Sequence, residues 1–174
     1  MTTANILADA FGRIRELVIK STEGLSAQHL AYRPEPGANS IAWLTWHLTR
    51  IQDDHVAEIS GSEQAWMGED WMGRFGLPFD PPATGYGHAP ADVAQVQPQG
   101  PDLLIGYHEA VWGNTTAYLE AMDPADLDRV IDESYDPPVT VGVRLVSVIS
   151  DNIQHAGQAR YLRGMIERLG VGSD

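Results

Sequence analysis

Four long segments of this chain repeat apolar residues at intervals of three and four, and that periodicity constrains the fold more than any other feature. Such a stripe runs along one side of an α-helix and has to be buried against a neighbouring element. The first segment predicts a helix over residues 3–25, with Leu7, Phe11, Ile14, Leu17 and Val18 on the stripe and Gly24 near its stop. The second starts at Ser40 or Asn39 as N-cap and carries Ile41, Leu44, His47, Leu48, Ile51, Asp54 and His55 towards Gly61. A third helix is predicted over 101–122, with Pro101 in its first turn and Leu104, Tyr107, His108, Val111 and Leu119 facing inward. The fourth spans 141–169, with Val148, Asp151, His155, Gln158, Leu162 and Met165 on one stripe and Gly170 as its stop.

Between these helices the punctuation is strong. Pro34, Pro36 and Gly37 forbid helix ahead of Ser40. Residues 62–100 read as a short helix near 62–72 and then a long irregular excursion with five prolines, Pro78, Pro81, Pro82, Pro90 and Pro98. Trp66, Trp71, Phe75 and Phe79 in that stretch argue for a packed cover. Ser134 to Pro138 read as a loop, and no strand alternation is evident. The expected fold is all-α: a four-helix bundle with a long connection between helices 2 and 3, in one domain over residues 1–174.

Charge and composition narrow the function. Eleven basic residues against 24 acidic ones give a net charge of −13, which argues against nucleic acid and against anionic membrane as partners. No leader pattern or membrane span is recognisable, so the expected location is cytoplasmic. The chain has no cysteine, so any thiol chemistry needs a thiol from outside.

The residues that carry chemistry interrupt the apolar stripes. His47 sits between Leu44 and Ile51 on the second helix. Asp151 and His155 lie four apart on the fourth, so they leave the same face one turn apart. A carboxylate on a buried face needs compensation, and a divalent ion shared with His155 and a histidine from a facing helix would supply it. The spacing alone leaves a solvent-facing ion pair open as the alternative, and a core histidine bonded to a carbonyl for His47. His55 lies eight residues beyond His47, about 12 Å along the axis, too far to share an ion with it. His29 and His88 are expected in surface loops. His108 faces inward as a fourth ligand, a pocket wall or a core histidine. Gln158, close after His155, is placed to hold its ring. Trp43, Trp46, Arg50, Tyr107 and His108 are candidates to line a substrate pocket.

Two runs, Asn39-Ser40-Ile41-Ala42-Trp43-Leu44-Thr45-Trp46-His47-Leu48 and Asp151-Asn152-Ile153-Gln154-His155-Ala156-Gly157-Gln158, resemble the DinB/YfiT-like family. Members of that family are four-helix bundles with a metal site near one end. His47 and His155 match the family's histidines. Asp151 stands where the family commonly has another histidine, and where its mycothiol-dependent maleylpyruvate isomerase branch has a Glu. The resemblance implies a divalent metal, zinc by preference, held by His47, Asp151 and His155. It also implies S-transfer from a low-molecular-weight thiol to a small electrophile, and it makes a homodimer an expectation. Bacillithiol and mycothiol are the thiols used in the family; an arginine-rich chain with Lys20 as its one lysine suits the mycothiol-using actinobacteria. Three other outcomes stay open: a non-catalytic, stress-associated metal-binding bundle, a thiol-dependent isomerase, and metal-assisted hydrolysis with the same residues. The isomerases carry a further C-terminal domain, and this chain ends just after its fourth helix.

Overall fold

The computed structural model describes residues 1–172, and helix dominates them. The long helices are α1 (Thr3–Thr22), α3 (Ile41–Ser60), α7 (Pro101–Ala121) and α8 (Val141–Leu169). Each begins and ends for a local reason. Thr2 and Asn5 cap α1 reciprocally, each side-chain oxygen accepting the other's backbone N–H. The Ser40 hydroxyl accepts from Trp43 N at 3.1 Å, and that of Thr140 from Val143 N at 3.3 Å. Gly61 and Gly170 end α3 and α8 with φ of +69° and +61°, a conformation that costs other residues.

Shorter pieces fill the connections: α2 (Ala27–Ala31), α4 (Ala65–Gly68), α5 (Trp71–Phe75), α6 (Pro90–Val93) and a tight turn over Pro124–Asp128. The helix expected to run on to residue 25 stops at Thr22, and Ser26 caps α2 separately. The helix expected over 62–72 is broken in two by Asp70, which adopts φ +56°. A short hairpin joins the helices without changing the mostly helical character of the fold. β1 (Val130–Asp132) pairs antiparallel with β2 (Val139–Thr140), directly ahead of α8. Strands of three and two residues are too short for alternation to show in the sequence.

Of the long helices, α3 packs against α8 and α7, and α1 packs against the same two from the other side. The core falls into two apolar clusters. One holds Phe11, Ile14, Val18, Leu48, Leu119, Leu145 and Val148 among the long helices. The other gathers Trp43, Trp46, Trp66, Trp71, Tyr107 and Leu104 beneath the connection from α3 to α7. A polar contact crosses three helices: Asn152 donates to Gln52 Oε1 at 2.9 Å, and Gln52 donates to the Thr115 hydroxyl at 2.8 Å. No helix among the described residues is long and apolar enough to cross a membrane.

The excursion between α3 and α7 decides the environment of α3. Residues 41–50 are buried on every side of that helix, because the excursion covers the face that would otherwise meet water. Buried polar groups of α3 tie it down. Asp53 accepts from Ala65 N at 2.9 Å, from Trp66 N at 2.8 Å and from the Tyr107 hydroxyl at 2.8 Å. Burial pushes the Asp53 carboxyl up, against those bonds. Arg50 donates through Nε to Ala83 O at 3.1 Å and through Nη1 to Gln64 Oε1 at 3.0 Å.

Candidate metal centre

His47 leaves α3 and meets Asp151 and His155 from α8. One ligand atom from each lies within 4.8 Å of the other two. His155 Nε2 is 3.6 Å from Asp151 Oδ1, and the two imidazole rings stand nearly perpendicular with centroids 4.9 Å apart. Ligand atoms at zinc distances of ~2 Å sit roughly 3.3 Å from one another in a tetrahedron, so only a small contraction is required.

Each histidine is held by its other nitrogen. His47 Nδ1 is 2.6 Å from the carbonyl of Thr84. A carbonyl can only accept, so Nδ1 carries the proton and Nε2 presents a lone pair. His155 Nδ1 is 3.1 Å from Gln158 Oε1, which fixes that ring in the same tautomer. Trp43 stacks on His47, with ring centroids 4.6 Å apart and planes inclined by 13°, and meets His155 edge-on. His47 is buried, and that burial lowers its affinity for a proton.

The Asp151 carboxylate is the clearest sign that the cluster lacks a partner. Its Oδ2 is buried without a hydrogen bond. Burial works to raise the acid's pKa, but His155 and then His47 outweigh it, and the carboxyl is held below its usual value. The carboxylate in turn raises the pKa of His155. An anion with an unbonded buried oxygen, facing two oriented imidazole nitrogens, fits a divalent cation. The donor set of two nitrogens and one oxygen suits zinc and the neighbouring transition metals.

The family model of the DinB superfamily matches residues 10–159. The chain belongs to the DinB superfamily. A crystal structure of a conserved protein from Enterococcus faecalis is similar to this DinB chain: 30% identity and a TM-score of 0.88, with 94% of this chain and 96% of that one covered. No curated protein matches it.

Other candidates from the sequence lie elsewhere in this DinB chain. Trp46, Arg50, Tyr107 and His108 are all fully buried. Arg50 and Tyr107 belong to the Asp53 network, and Trp46 packs between Trp66, Phe79 and His88. His108 Nδ1 bonds the Thr49 hydroxyl at 3.0 Å, and its burial drives the ring's pKa down to about 3. His55 stands apart from the ligand cluster, 3.1 Å from Arg144 Nη1. Two histidines expected at the surface are half-buried instead. His29 bonds Val171 O at 2.7 Å. His88 accepts from Trp43 Nε1 at 3.2 Å and packs on Trp46 and Phe79, because the excursion folds back over α3.

The sequence reading missed the Thr84 carbonyl. The signal available was Gly85, with φ +98°. A Cβ there would lie 2.9 Å from both His47 Nδ1 and Trp46 Cζ3, so only glycine lets this backbone reach the imidazole. Of the three candidate ligands, Asp151 also lines a cleft of about 400 Å³, bordered by Ile51, His55, Tyr86, Tyr135 and Arg144.

Proposed function

We propose that this protein is a metal-dependent thiol S-transferase built on a four-helix bundle, using zinc and a low-molecular-weight thiol, mycothiol by preference. The observation that carries the reading is the three-residue donor set with an unbonded Asp151 oxygen, Asp151 itself standing on the wall of a cleft. A divalent ion held by His47, Asp151 and His155 would supply the Lewis acidity that lowers the pKa of a coordinating thiol. Three protein ligands would leave room for a fourth, and a molecule in the cleft would reach the site from the Asp151 side. A non-catalytic staple between α3 and α8 would need neither, so the cleft favours catalysis.

The chain's residues set the charge and the shape. His47 and His155 are neutral donors and Asp151 brings one negative charge, so with a divalent ion the site is +1 before the thiolate arrives and near zero after. That balance favours capture of an anionic sulfur while leaving it nucleophilic. Thr84, Gln158 and Trp43 hold both rings still, and the ligands need little rearrangement. In the transfer the sulfur bonds to the electrophilic carbon. The leaving group departs with its bonding electron pair, and the thiol proton passes to solvent.

The test is elemental analysis of the purified protein, followed by conjugation of 1-chloro-2,4-dinitrobenzene with mycothiol, bacillithiol or glutathione. We expect one divalent ion per chain and a thiol-dependent rate that chelation abolishes, with mycothiol preferred over glutathione. A rate equal to the uncatalysed one for every thiol, with the ion bound, rejects the transferase.

A further inference from the structure

The cleft beside Asp151 is lined by both polar and apolar side chains. Val139, Val143 and Val148 form apolar wall, and Tyr86 and Tyr135 border it while 91% and 63% exposed. Tyr86 stands between two positive-φ glycines, Gly85 and Gly87, immediately after the Thr84 carbonyl that holds His47. Two aromatic rings kept in water at the border of a cleft offer flat surface to a small organic body.

Arg144 is one of the polar groups. Its side chain is only 18% exposed, and its bonding is incomplete. Nη1 lies 3.1 Å from His55 Nδ1, whose protonation is suppressed by burial and by the guanidinium itself. Nη2 is 4.0 Å from Asp132 Oδ2, a long contact, and Nε is buried with no partner. Two carboxylates share its surroundings: Asp132, whose Oδ2 makes that long contact while Oδ1 is turned to Ser134, and Asp151, on the wall of the same cleft. Asp132 accepts from the Ser134 amide at 2.9 Å and hydroxyl at 2.6 Å, and Asp54 accepts from Gln64 at 2.8 Å. A guanidinium carries five donors in a planar fork, a shape that matches a carboxylate. With the Asp132 contact as long as 4.0 Å and a neutral imidazole on Nη1, Arg144 is a cation on the cleft wall whose outer nitrogens can turn to a bound anion.

We propose that this cleft seats the electrophile and that the electrophile is a small carboxylic acid. Its carboxylate pairs with Arg144, and its unsaturated or aromatic body lies against Tyr86 and Tyr135. Its reactive carbon lies at the Asp151 end. Arg144 and Asp151 are seven residues apart on α8, two turns or about 10 Å along one face. That span suits an acid whose reactive carbon is several bonds from its carboxylate. The role as electrophile site rests on the transferase reading; the carboxylate site does not.

The experiment is calorimetric titration of the full chain with trans-cinnamate and with its neutral amide, cinnamamide, first as purified and then after chelation. Cinnamate should bind at least ten-fold more tightly than cinnamamide in both states. Arg144→Gln should bring cinnamate down to the level of the amide, and Arg144→Lys should keep part of the preference. Tyr86→Ala should weaken both ligands alike. Equal affinity for the two ligands in the parent overturns the proposal and needs no variant to read. So does absence of cinnamate binding at millimolar concentration, a preference lost on chelation, or an Arg144→Gln protein that still prefers cinnamate. Selective binding without thiol conjugation keeps the carboxylate site and rejects the transferase; conjugation with unselective binding does the reverse.

Discussion

At the scale of single residues, Asp151 is the most informative position in the chain. A three-histidine set with zinc would carry +2, and replacing one imidazole by a carboxylate lowers that to +1. Asp151→His should retain the ion, because imidazoles four apart on a helix chelate from one face. Asp151→Asn should lose affinity, since a neutral amide is a poor zinc ligand. His47→Ala and His155→Ala should each abolish stoichiometric binding, and competition with a chromogenic chelator measures all four variants. An Asp151→Asn protein that competes as well as the parent removes Asp151 from the ligand set. His108 makes a different prediction. Its ring is neutral in the folded protein down to about pH 3, whereas in the unfolded chain it titrates near ~6.5. The unfolded state therefore binds more protons between those values. Stability should fall as pH drops through that window, by up to about 1.4 kcal/mol per pH unit from this group. His108→Phe should flatten that acid limb in urea unfolding, and an unchanged pH dependence would assign it to other groups.

At the scale of elements, legibility followed the length of the pattern. The stripe of α8 is 29 residues long, and its period put Asp151, His155 and Gln158 on one face, where the structure has them. The stripe of α3 placed His47 equally well. It could not show that Arg50 and Asp53 are buried too, because periodicity assumes one wet face and the excursion leaves α3 almost none. The excursion itself has no period, so its folded path was hidden, and with it the Thr84 carbonyl and the burial of His88. Gly85→Ala tests that path. The added methyl meets His47 and Trp46 in a backbone conformation already unfavourable to alanine. The loop should shift and free the His47 ring, lowering metal affinity about 10- to 100-fold, as the loss of an outer partner does elsewhere. Unchanged affinity, read with the same chelator, would make the Thr84 contact incidental.

The whole molecule draws its candidate ligands from two helices, α3 and α8, that meet only when the chain is folded. An ion bound there stabilises the native state by about 4 kcal/mol at a thousand-fold excess over its dissociation constant. For a chain of this size that is roughly 10 °C in melting temperature. Chelation should lower the Tm by that order in differential scanning calorimetry, and the His47→Ala protein should show no such drop. An equal drop in both would locate the ion elsewhere. The same overall arrangement recurs at 30% identity in the Enterococcus faecalis protein, so it tolerates wide change in sequence.

The short bond from His47 to Thr84 would couple an ion bound at His47 to the loop that carries Thr84. If the ion settles the imidazole and the imidazole settles the loop, ordering the loop must tighten the ion by the same factor. Tyr86 is two residues beyond that bond and borders the cleft. A molecule that gripped Tyr86 would then also tighten a metal bound at His47, with no contact between them. The chain would then hold its ion most firmly when its second guest is present, and release it most readily when the cleft is empty.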